Sequence, residues 1–557
     1  MTTECPRCQV QLPSTQGWAS VALGAITAWA RGNAFLGGRL LNARDLAAEL
    51  ASLGASRDPE EWLARYCEDL NGFWAIVLCA PNGLWAAVDR VRSLPLFFAD
   101  SRGAIVIGSD GFRLREAVGD SALDPHSVQE FYILGYTTGA HTLCASVKQL
   151  EAGQWLSAHL CRGTPVVRVQ DYGRWRHDQH REGVAEDLLD QGDEALASAF
   201  DRLVAHAGGR QIVVPLSGGR DSRLVATMLR RLQYENVVCY SYGVAGNAEA
   251  TTSRQVAASL DYPWVFVPYT RDLWRSWYAS DQWRAYAAMA GGICVKPHLQ
   301  DWPAVWRLRE EGLVSDDALF APGHIVPLGA KNDVLTRVYT PGPPDAGAII
   351  DAVYHVHYAL QRPRGYRWHP SPVIRERILA ALGDLDLYAD SADAFEAWEL
   401  RQRESKFIIN SIRAYEFWGY EWWLPLLDRE VMDYWAGVPV TYRQGRKLHH
   451  HGVQRLYEAT VEDRAVTSHV VVSRRKGRLA ALLRFSVLAP LYRLLIRIPW
   501  YWNEPRAWFG IVTPREYLRT MLETDTLGAP GFGVNTFLVR DQLRMVSGGT
   551  WSRVSPG

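Results

Sequence analysis

The sequence predicts an α+β domain followed by an α/β domain with a doubly wound parallel sheet and a helical C-terminal part. From residue 15 onwards, short apolar runs are broken by Gly, Asp, Asn and Pro, which is typical of antiparallel strands. Later in the chain, apolar runs alternate with helical patterns, which favours parallel strands joined by helices. The chain of 557 residues also exceeds what one core usually fills. We predict a first domain over 1–170, a linker over 171–190 and a second domain over 191–557.

The first domain is predicted to pair strands with amphipathic helices. The runs GFWAIVLCA and NGLWAAVD meet at Asn82-Gly83, a pair that favours a tight hairpin. The segments LLNARDLAAELASLG and DPEEWLARYCEDL have apolar residues at helical spacing, and Asp58 is placed to cap the second helix. These elements indicate a mainly antiparallel sheet covered by helices.

The second domain is predicted to centre on QIVVPLSGGRDSRLVATMLRRL, residues 211–232. Its first six residues resemble a buried parallel strand, and apolar residues recur at helical spacing after the glycines. Further runs, NVVCYSYGV and PWVFVPY, flank the helical segment EATTSRQVAASL. Because ligands bind at the carboxyl ends of strands in such sheets, the turn SGGRDS is the candidate ligand site.

The turn SGGRDS has the features of a phosphate cradle. Gly218 and Gly219 allow a tight turn and a close approach of the backbone to a ligand. The N-H groups and positive dipole end of the following helix attract an anion. The spacing is not that of a GxxxxGK[ST] loop, and the lysine of that loop is absent.

Composition and charge exclude several classes of protein. The formal net charge is zero, so the chain has no electrostatic footprint for nucleic acid. No basic segment followed by an apolar run opens the sequence, which predicts a cytoplasmic protein. The apolar stretch 485–502 is interrupted by Arg493 and Arg497, so a packed or interfacial helix is expected rather than a membrane span. Cys5 and Cys8 lack the second pair that a zinc site needs.

SGGRDS resembles the SGGxDS signature of PP-loop ATP pyrophosphatases, which split ATP into AMP and pyrophosphate. The resemblance implies ATP and Mg²⁺ as cofactors. It implies that Ser217, Gly218 and Gly219 hold the pyrophosphate, with Ser222 in the same loop. Asp221 would help to hold Mg²⁺, which suits a cation that prefers carboxylate and phosphate oxygens.

The resemblance extends to the asparagine synthetase-like enzymes over nearly the whole chain. Residues 70–99 and 123–156 are similar to parts of their class II amidotransferase domain. The family implies an Ntn-like sandwich for the first domain and leaves a homodimer open. It also implies that Ser241 and Glu249 border the adenosine, although a polar strand end and a solvated helix residue explain them equally well.

The chain departs from this family in its first domain. Class II amidotransferases use an N-terminal cysteine, but Thr2 stands at that position here and Cys5 has no adjacent free amine. The position of the glutamine-binding block reads AFLGGRLLNARDL. We therefore predict that the domain keeps its fold and has lost glutaminase activity.

A second departure concerns the metal. The segment LFAPGHIVPLGAKND, 319–333, lies where the family carries an acid that shares Mg²⁺ with the loop aspartate. Ile325, Val326 and Pro327 occupy that place, and we interpret Asp333 as a surface residue. The second metal contact is therefore in doubt.

The segment EFWGYEWWLPLLD resembles the family's E-x-R-x-P-F-L-D region. Glu421 matches its acid, while Trp423 replaces the arginine. Two interpretations stay open: a base for an incoming amine, whose pKa burial among aromatic rings would raise, or a partner for an arginine. Asp428 is predicted to cap the following helix.

Two lysines further along match family elements. Lys447 lies at a predicted helix start, and Lys476 in SRRKGR is predicted to contact the acyl-adenylate, although a basic run is also typical of a solvated surface. Histidines 449–451 invite a metal interpretation. Since consecutive residues on a helix point in different directions, we do not predict a metal site there.

The resemblance implies activation of a carboxylate as an acyl-adenylate, followed by attack of a nitrogen nucleophile to form an amide. A sugar acid of a surface polysaccharide is one expected substrate, with ammonia, glutamine or an amine as nitrogen donor. Intramolecular amide formation, as in β-lactam synthetases and lasso-peptide cyclases, is an alternative. A noncatalytic ATP-binding relative is another. Other PP-loop reactions, on tRNA or sulfur, are disfavoured by the neutral charge and the lack of a catalytic cysteine pair.

Overall fold

The computed structural model describes residues 8–101, 103–120, 122–161, 164–329, 337–360, 369–461, 511–523 and 534–548. The first part of the chain forms eleven strands and four helices within those ranges. The strands are β1 (Cys8–Gln11), β2 (Ala19–Leu23), β3 (Ile26–Leu36), β4 (Arg39–Leu41), β5 (Asn71–Ala80), β6 (Gly83–Val88), β7 (Phe97–Ser101), β8 (Ala104–Gly108), β9 (Val147–Gln149), β10 (Gln154–Cys161) and β11 (Thr164–Asp171). The helices are α1 (Ala43–Ser56), α2 (Pro59–Asp69), α3 (Gly111–Val118) and α4 (Pro125–Leu134).

These elements form a four-layer α/β/β/α sandwich. One sheet has the order β11-β10-β6-β5-β3-β2, with β4 on β3, and the other has the order β1-β8-β7-β9. Alternation along β5 shows the layers: Phe73, Ala75 and Val77 face the other sheet, whereas Trp74 and Ile76 face α1 and α2. Helices α3 and α4 cover the outer face of the second sheet. The predicted mainly antiparallel sheet and the hairpin joining β5 to β6 are confirmed.

The cap predicted at Asp58 is confirmed as well. Its carboxylate accepts a hydrogen bond from the Glu60 N-H, at 3.1 Å, and Pro59 occupies the first helical position. An acceptor at the N-cap satisfies one of the N-H groups that a helix start leaves unpaired. The sequence therefore fixes where α2 begins.

The second part of the chain contains five further strands and the remaining helices. The strands are β12 (Ile212–Pro215), β13 (Val237–Gly243), β14 (Trp264–Pro268), β15 (Leu319–Phe320) and β16 (Glu421–Trp422). The helices are α5 (Ala185–Ala207), α6 (Arg220–Arg231), α7 (Ala248–Ser259), α8 (Arg271–Tyr278), α9 (Asp281–Gly291), α10 (Trp302–Glu310), α11 (Ala346–His357), α12 (Pro372–Leu382), α13 (Ser391–Trp398), α14 (Arg413–Phe417), α15 (Arg429–Gly437), α16 (Val440–Arg443), α17 (Lys447–Thr460), α18 (Pro514–Glu523) and α19 (Val534–Val546).

Strands β12 to β16 form one parallel sheet of order β14-β13-β12-β15-β16. Numbered along the chain, this is the order 3-2-1-4-5, which reverses direction beside the first strand as in doubly wound sheets. The predicted parallel sheet and its first three strands are confirmed. Strands β15 and β16 were not predicted. Their two residues each carry too little pattern to be read from sequence.

Tryptophan side chains fill the core beside this sheet. Rings from α8, α9 and α10 and from the end of α14 contact one another, with centroids 4.7 to 4.9 Å apart. They belong to Trp274, Trp277, Trp283, Trp302 and Trp418. Large rings in tilted and edge-to-face contact bury much apolar area per residue. This cluster accounts for part of the high tryptophan content of the chain.

The segment 171–190, predicted as a linker, packs against the second domain. The Trp175 indole donates to the Met432 carbonyl at 3.0 Å. The His177 N-H donates to Asp393 at 2.7 Å, and both side chains are buried. A continuous apolar core also joins the sandwich to the parallel sheet. The two parts of the chain are therefore held together by packing as well as by the chain itself.

Candidate active site

The loop SGGRDS joins the carboxyl end of β12 to the start of α6. The Ser222 hydroxyl accepts a hydrogen bond from the Ser217 N-H at 3.0 Å and lies 3.0 Å from the Ser217 hydroxyl, which accepts from the Gly219 N-H at 3.1 Å. Gly219 begins α6. These hydrogen bonds hold the loop in a tight turn around a helix N-terminus, the arrangement that attracts an anion.

Glycines let two neighbouring segments approach this loop closely. A Cβ atom on Gly218 would lie 3.3 Å from the Glu249 Cα at the start of α7. A Cβ atom on Gly323, in the segment after β15, would lie 2.7 Å from the Asp221 carbonyl carbon and the Ser222 nitrogen. The loop thus lies between β12, α7 and the segment after β15, where the strand order reverses and ligands usually bind.

Asp221 is held by two cationic or hydrogen-bonding side chains from the start of α17. His449 Nε2 lies 2.6 Å from one carboxylate oxygen, and an Arg446 guanidinium nitrogen lies 3.5 Å from the other. Burial raises the pKa of Asp221, but the His449 hydrogen bond and the charges around it outweigh this effect, so the pKa stays below its usual value. Asp221 is therefore kept ionised.

These residues fit a phosphate better than a magnesium ion held by the protein. Both oxygens of Asp221 already face His449 and Arg446. Ile325 and Val326, at the place of the missing acid, are buried in the core. Within the described ranges, no group of three or more His, Cys, Asp or Glu side chains has the arrangement of a metal site. The geometry thus does not support the predicted Mg²⁺ contact of Asp221, and Asp333 lies outside the described residues.

Two arginines lie close to the start of α6. Arg220 opens α6, and Arg446 reaches over Asp221 from a backbone φ of 58°, a left-handed conformation that arginine seldom adopts. Burial and the nearby Arg220 lower the pKa of His450 to about 4, so this side chain is neutral at pH 7. Two guanidinium groups therefore flank the helix N-terminus.

The structure places the predicted adenosine residues beside the loop. The Leu216 N-H donates to the Tyr240 carbonyl at 2.9 Å, and Pro215 pairs in register with Tyr240, which sets Ser241 level with Leu216, the residue before the loop. Ser241 is buried within β13, and Glu249 is exposed in the first turn of α7 next to Gly218. Lys447 is exposed at the start of α17. All three lie on elements that border the loop.

Glu421 lies on β16, an edge strand of the sheet that is two strands away from β12. It is the first residue of β16 and pairs in register with Leu319, which pairs with Ile212 at the start of β12. Its carboxylate lies 2.9 Å from Arg210 and its side chain is 55% exposed. Alternation along β16 buries Trp422 and turns Glu421 outward, so the expected burial among aromatic rings is wrong. The geometry supports the alternative in which Glu421 pairs with an arginine.

Glu421 instead lines a cavity of about 1170 Å³ between the two parts of the chain. Arg31 and Asn33 of the sandwich line the same cavity, together with Glu416. Arg31 lies 2.9 Å from Glu416, so an ion pair crosses the boundary there. This cavity does not contain the SGGRDS loop.

Lys476 lies outside the described residues, as do Thr2, Cys5 and the stretch 485–502. Asp428 caps α15 as predicted, accepting a hydrogen bond from the Glu430 N-H at 2.9 Å. No helix in the described part of the chain has the length and apolar character to cross a membrane.

Sequence reasoning missed a charged cluster near the loop. Residues Glu399–Ile408 form a π-helix, a conformation that often marks functional sites. Its Glu399, Arg403 and Glu404 form ion pairs with one another. His357 of α11 also approaches Glu399, at 3.9 Å, and this contact between distant segments has no local pattern in the sequence. The high density of charged residues in ELRQRESK is the one feature of the sequence that could have indicated this cluster.

No protein-family model matches the chain, and no curated protein matches it. Among solved structures, glutamine phosphoribosylpyrophosphate amidotransferase from B. subtilis, complexed with ADP and GMP, is 12% identical, with a TM-score of 0.20. The match covers 56% of this chain and 65% of that one. A structure described as the allosteric regulatory enzyme of purine biosynthesis is 11% identical, with a TM-score of 0.19, over 57% of this chain and 58% of that one.

The matches thus span less than two thirds of either of those chains. At such low TM-scores, neither says anything about the function of this one.

Proposed function

We propose that the chain binds ATP at the SGGRDS loop and activates a carboxylate as an acyl-adenylate, from which an amide is formed. One observation carries the proposal: the loop lies at the carboxyl end of the central strand of a 3-2-1-4-5 parallel sheet, where the strand order reverses, and opens onto the start of α6. The resemblance to asparagine synthetase-like enzymes adds the reaction type.

In this proposal the loop holds the pyrophosphate end of ATP. Ser217, Gly218 and Gly219 would supply hydroxyl and N-H donors, and Arg220 and Arg446 would balance the charge that develops as pyrophosphate leaves. The described residues do not fit a Mg²⁺ ion held by the protein, so no role is assigned to such an ion here. The adenosine would lie along β13 near Ser241 and Glu249.

The proposal allows several carboxylate substrates and several nitrogen donors. A sugar acid and an amino acid are the first substrates to test, with ammonia or a primary amine as donor. The sandwich retains its layers, but the N-terminal residues that would carry glutaminase chemistry lie outside the described part. Glutamine therefore stays a third donor to be tested.

The proposal is tested by the products of ATP with a panel of carboxylates and hydroxylamine, which traps acyl-adenylates as hydroxamates. We expect AMP, pyrophosphate and hydroxamate in equal amounts with at least one of aspartate, galacturonate and glucuronate. Ser217→Ala should lower the rate by about tenfold to 100-fold, because a donor to the leaving group is lost. Ser276→Ala is the matched control, since Ser276 is exposed on α8 and bonds only its own helix.

Two results would contradict the proposal. Formation of ADP and phosphate would indicate an acyl-phosphate enzyme of another class. Tight ATP binding without turnover by any acid would favour a noncatalytic relative that uses the nucleotide only for binding.

A further inference from the structure

The charged cluster on the π-helix contains two acids around one arginine. Arg403 lies 3.8 Å from a Glu399 oxygen and pairs directly with Glu404. His357, at the end of α11, brings Nε2 to 3.9 Å from the same Glu399 oxygen. The Glu399 and Glu404 side chains are 15% and 13% exposed, and that of Arg403 is 37% exposed. The cluster is thus set deep in the protein yet stays accessible.

Two buried polar atoms in this region lack partners. The Tyr136 hydroxyl and the His357 Nε2 have no hydrogen bond in the described part of the chain, although Tyr136 is only 3% and His357 only 8% exposed. Burial raises the pKa of the Tyr136 hydroxyl, and the charges of Arg403, Glu399, Glu404 and Glu130 also act on this pKa. A buried polar atom without a partner is costly unless a ligand or water satisfies it.

The cluster is connected to the SGGRDS loop through Arg446. This guanidinium lies 3.5 Å from Asp221. The pKa of Glu404 is raised by burial and also by the negative charge of Asp221. The positive charges of Arg403 and Arg446 lower this pKa but do not outweigh the burial. Glu404 therefore lies within electrostatic reach of the loop.

The composition of the cluster suits a protonated amine. Two carboxylates share one guanidinium, so one negative charge is left when both acids are ionised. Burial lowers the pKa of His357 to about 3, so its ring is neutral at pH 7 and Nε2 can accept or donate one hydrogen bond according to its tautomer. A primary ammonium group has three donors and one positive charge, which matches these acceptors.

We infer that the cluster of Glu399, Arg403, Glu404, His357 and Tyr136 binds the amine that attacks the acyl-adenylate, and that Glu399 takes its proton. This inference rests on the proposed function and replaces the base role predicted for Glu421.

The Glu399 carboxylate accepts a proton from the ammonium group, and the nitrogen lone pair attacks the acyl carbon. A C–N bond forms and the C–O bond to AMP breaks, so that AMP leaves with the electron pair. The second nitrogen proton passes to solvent.

Glu399 has the proton affinity that such a base needs. Burial and the neighbouring Glu404 raise the pKa of Glu399 to about 8, against the opposing charge of Arg403. A base that titrates near the working pH is efficient. The charged and titratable groups around it are Arg403 and Glu404 on the same segment, Glu396 on α13, His357 on α11, Arg446 before α17, Tyr136 after α4 and Tyr339.

The first experiment compares nucleophiles in Glu399→Gln. Hydroxylamine is unprotonated at neutral pH, whereas n-propylamine must lose a proton. We expect the amide with n-propylamine to form about 100-fold more slowly, while hydroxamate formation and carboxylate-dependent ATP–pyrophosphate exchange stay near the wild-type rate. Glu235→Gln, an exposed residue after α6, should change none of the three rates. Equal losses with both nucleophiles would overturn the inference, because they would indicate a structural role.

The second experiment measures binding without turnover, so it separates this inference from the proposed function. Saturation-transfer NMR with n-propylammonium on the full chain at about pH 9, where Glu399 is ionised and the amine is still protonated, should show about tenfold weaker binding in Glu399→Gln than in wild type or Glu235→Gln. Equal binding in all three would overturn the amine site, whatever the adenylation assay shows.

The pH dependence gives a third readout. Below pH about 8 the rate of amide formation should fall as Glu399 is protonated, and Glu399→Gln should abolish this inflection. Because the folded pKa lies above the unfolded value of about 4.3, the protein should lose stability as pH rises between these two values. Thermal unfolding of Glu399→Gln should lack this slope. An unchanged pH profile in the variant would contradict the assignment.

Discussion

Gly323→Ala is expected to weaken ATP binding and adenylation by about 100-fold. The new Cβ atom would lie 2.7 Å from the Asp221 carbonyl carbon and the Ser222 nitrogen, closer than real Cβ atoms approach backbone. The segment after β15 and the first turn of α6 must then move apart. A displacement of about 1 Å in a positioned site costs on this order. Isothermal titration with ATP and the exchange rate measure the effect.

Gly173→Ala is the matched control for this variant. Its Cβ atom would lie 3.4 Å from the flexible Arg90 guanidinium, and the residue lies in a cleft lined by Arg65 and Arg429, away from the loop. We expect unchanged ATP binding. Should both variants bind ATP like wild type, the loop between β12 and α6 would not be the nucleotide site.

Asp428→Ala is expected to lower the free energy of unfolding by about 3 to 5 kcal/mol. The Asp428 side chain is fully buried and accepts two hydrogen bonds from Arg202, at 2.7 and 2.8 Å. It also accepts from Asn71 of the sandwich at 3.1 Å and caps α15. Removing it leaves a largely buried guanidinium without its main partner. Urea unfolding followed by tryptophan fluorescence measures the loss.

Asp345→Ala is the control that separates the effect of losing a helix cap from the effect of losing the buried Asp428–Arg202 ion pair. Asp345 caps α11 by accepting from Gly347 and Ala348, but its side chain is 57% exposed. Loss of a cap alone costs about 1 kcal/mol. If Asp428→Ala were no more destabilising than Asp345→Ala, the contacts with Arg202 and Asn71 would contribute nothing to stability.

The sequence predicts those parts of the fold that have a local signal. The strand β12, the helix α6 and the cap at Asp58 follow from apolar spacing, glycine and a short acidic side chain. Strands β15 and β16 have no such signal, because two residues show no period and their pairing depends on distant parts of the chain.

The candidate site was only partly predictable for the same reason. The spacing of residues 449–451 predicts that they do not share a ligand, but it does not show that His449 packs onto Asp221. That contact arises from the packing of α17 on α6. Glu421 matched a family pattern, yet the alternation of β16 turns it outward. The contact of Glu399 with His357 joins segments that are far apart in the sequence, so local periodicity does not reveal it.

The most direct test of the account follows an oxygen atom. A carboxylate substrate labelled with a heavy isotope of oxygen is incubated with the protein and ATP, and the products are examined by mass spectrometry. Formation of an acyl-adenylate at the SGGRDS loop predicts that one labelled oxygen appears in AMP. Label in inorganic phosphate together with ADP, or unlabelled AMP alongside the amide product, would contradict it.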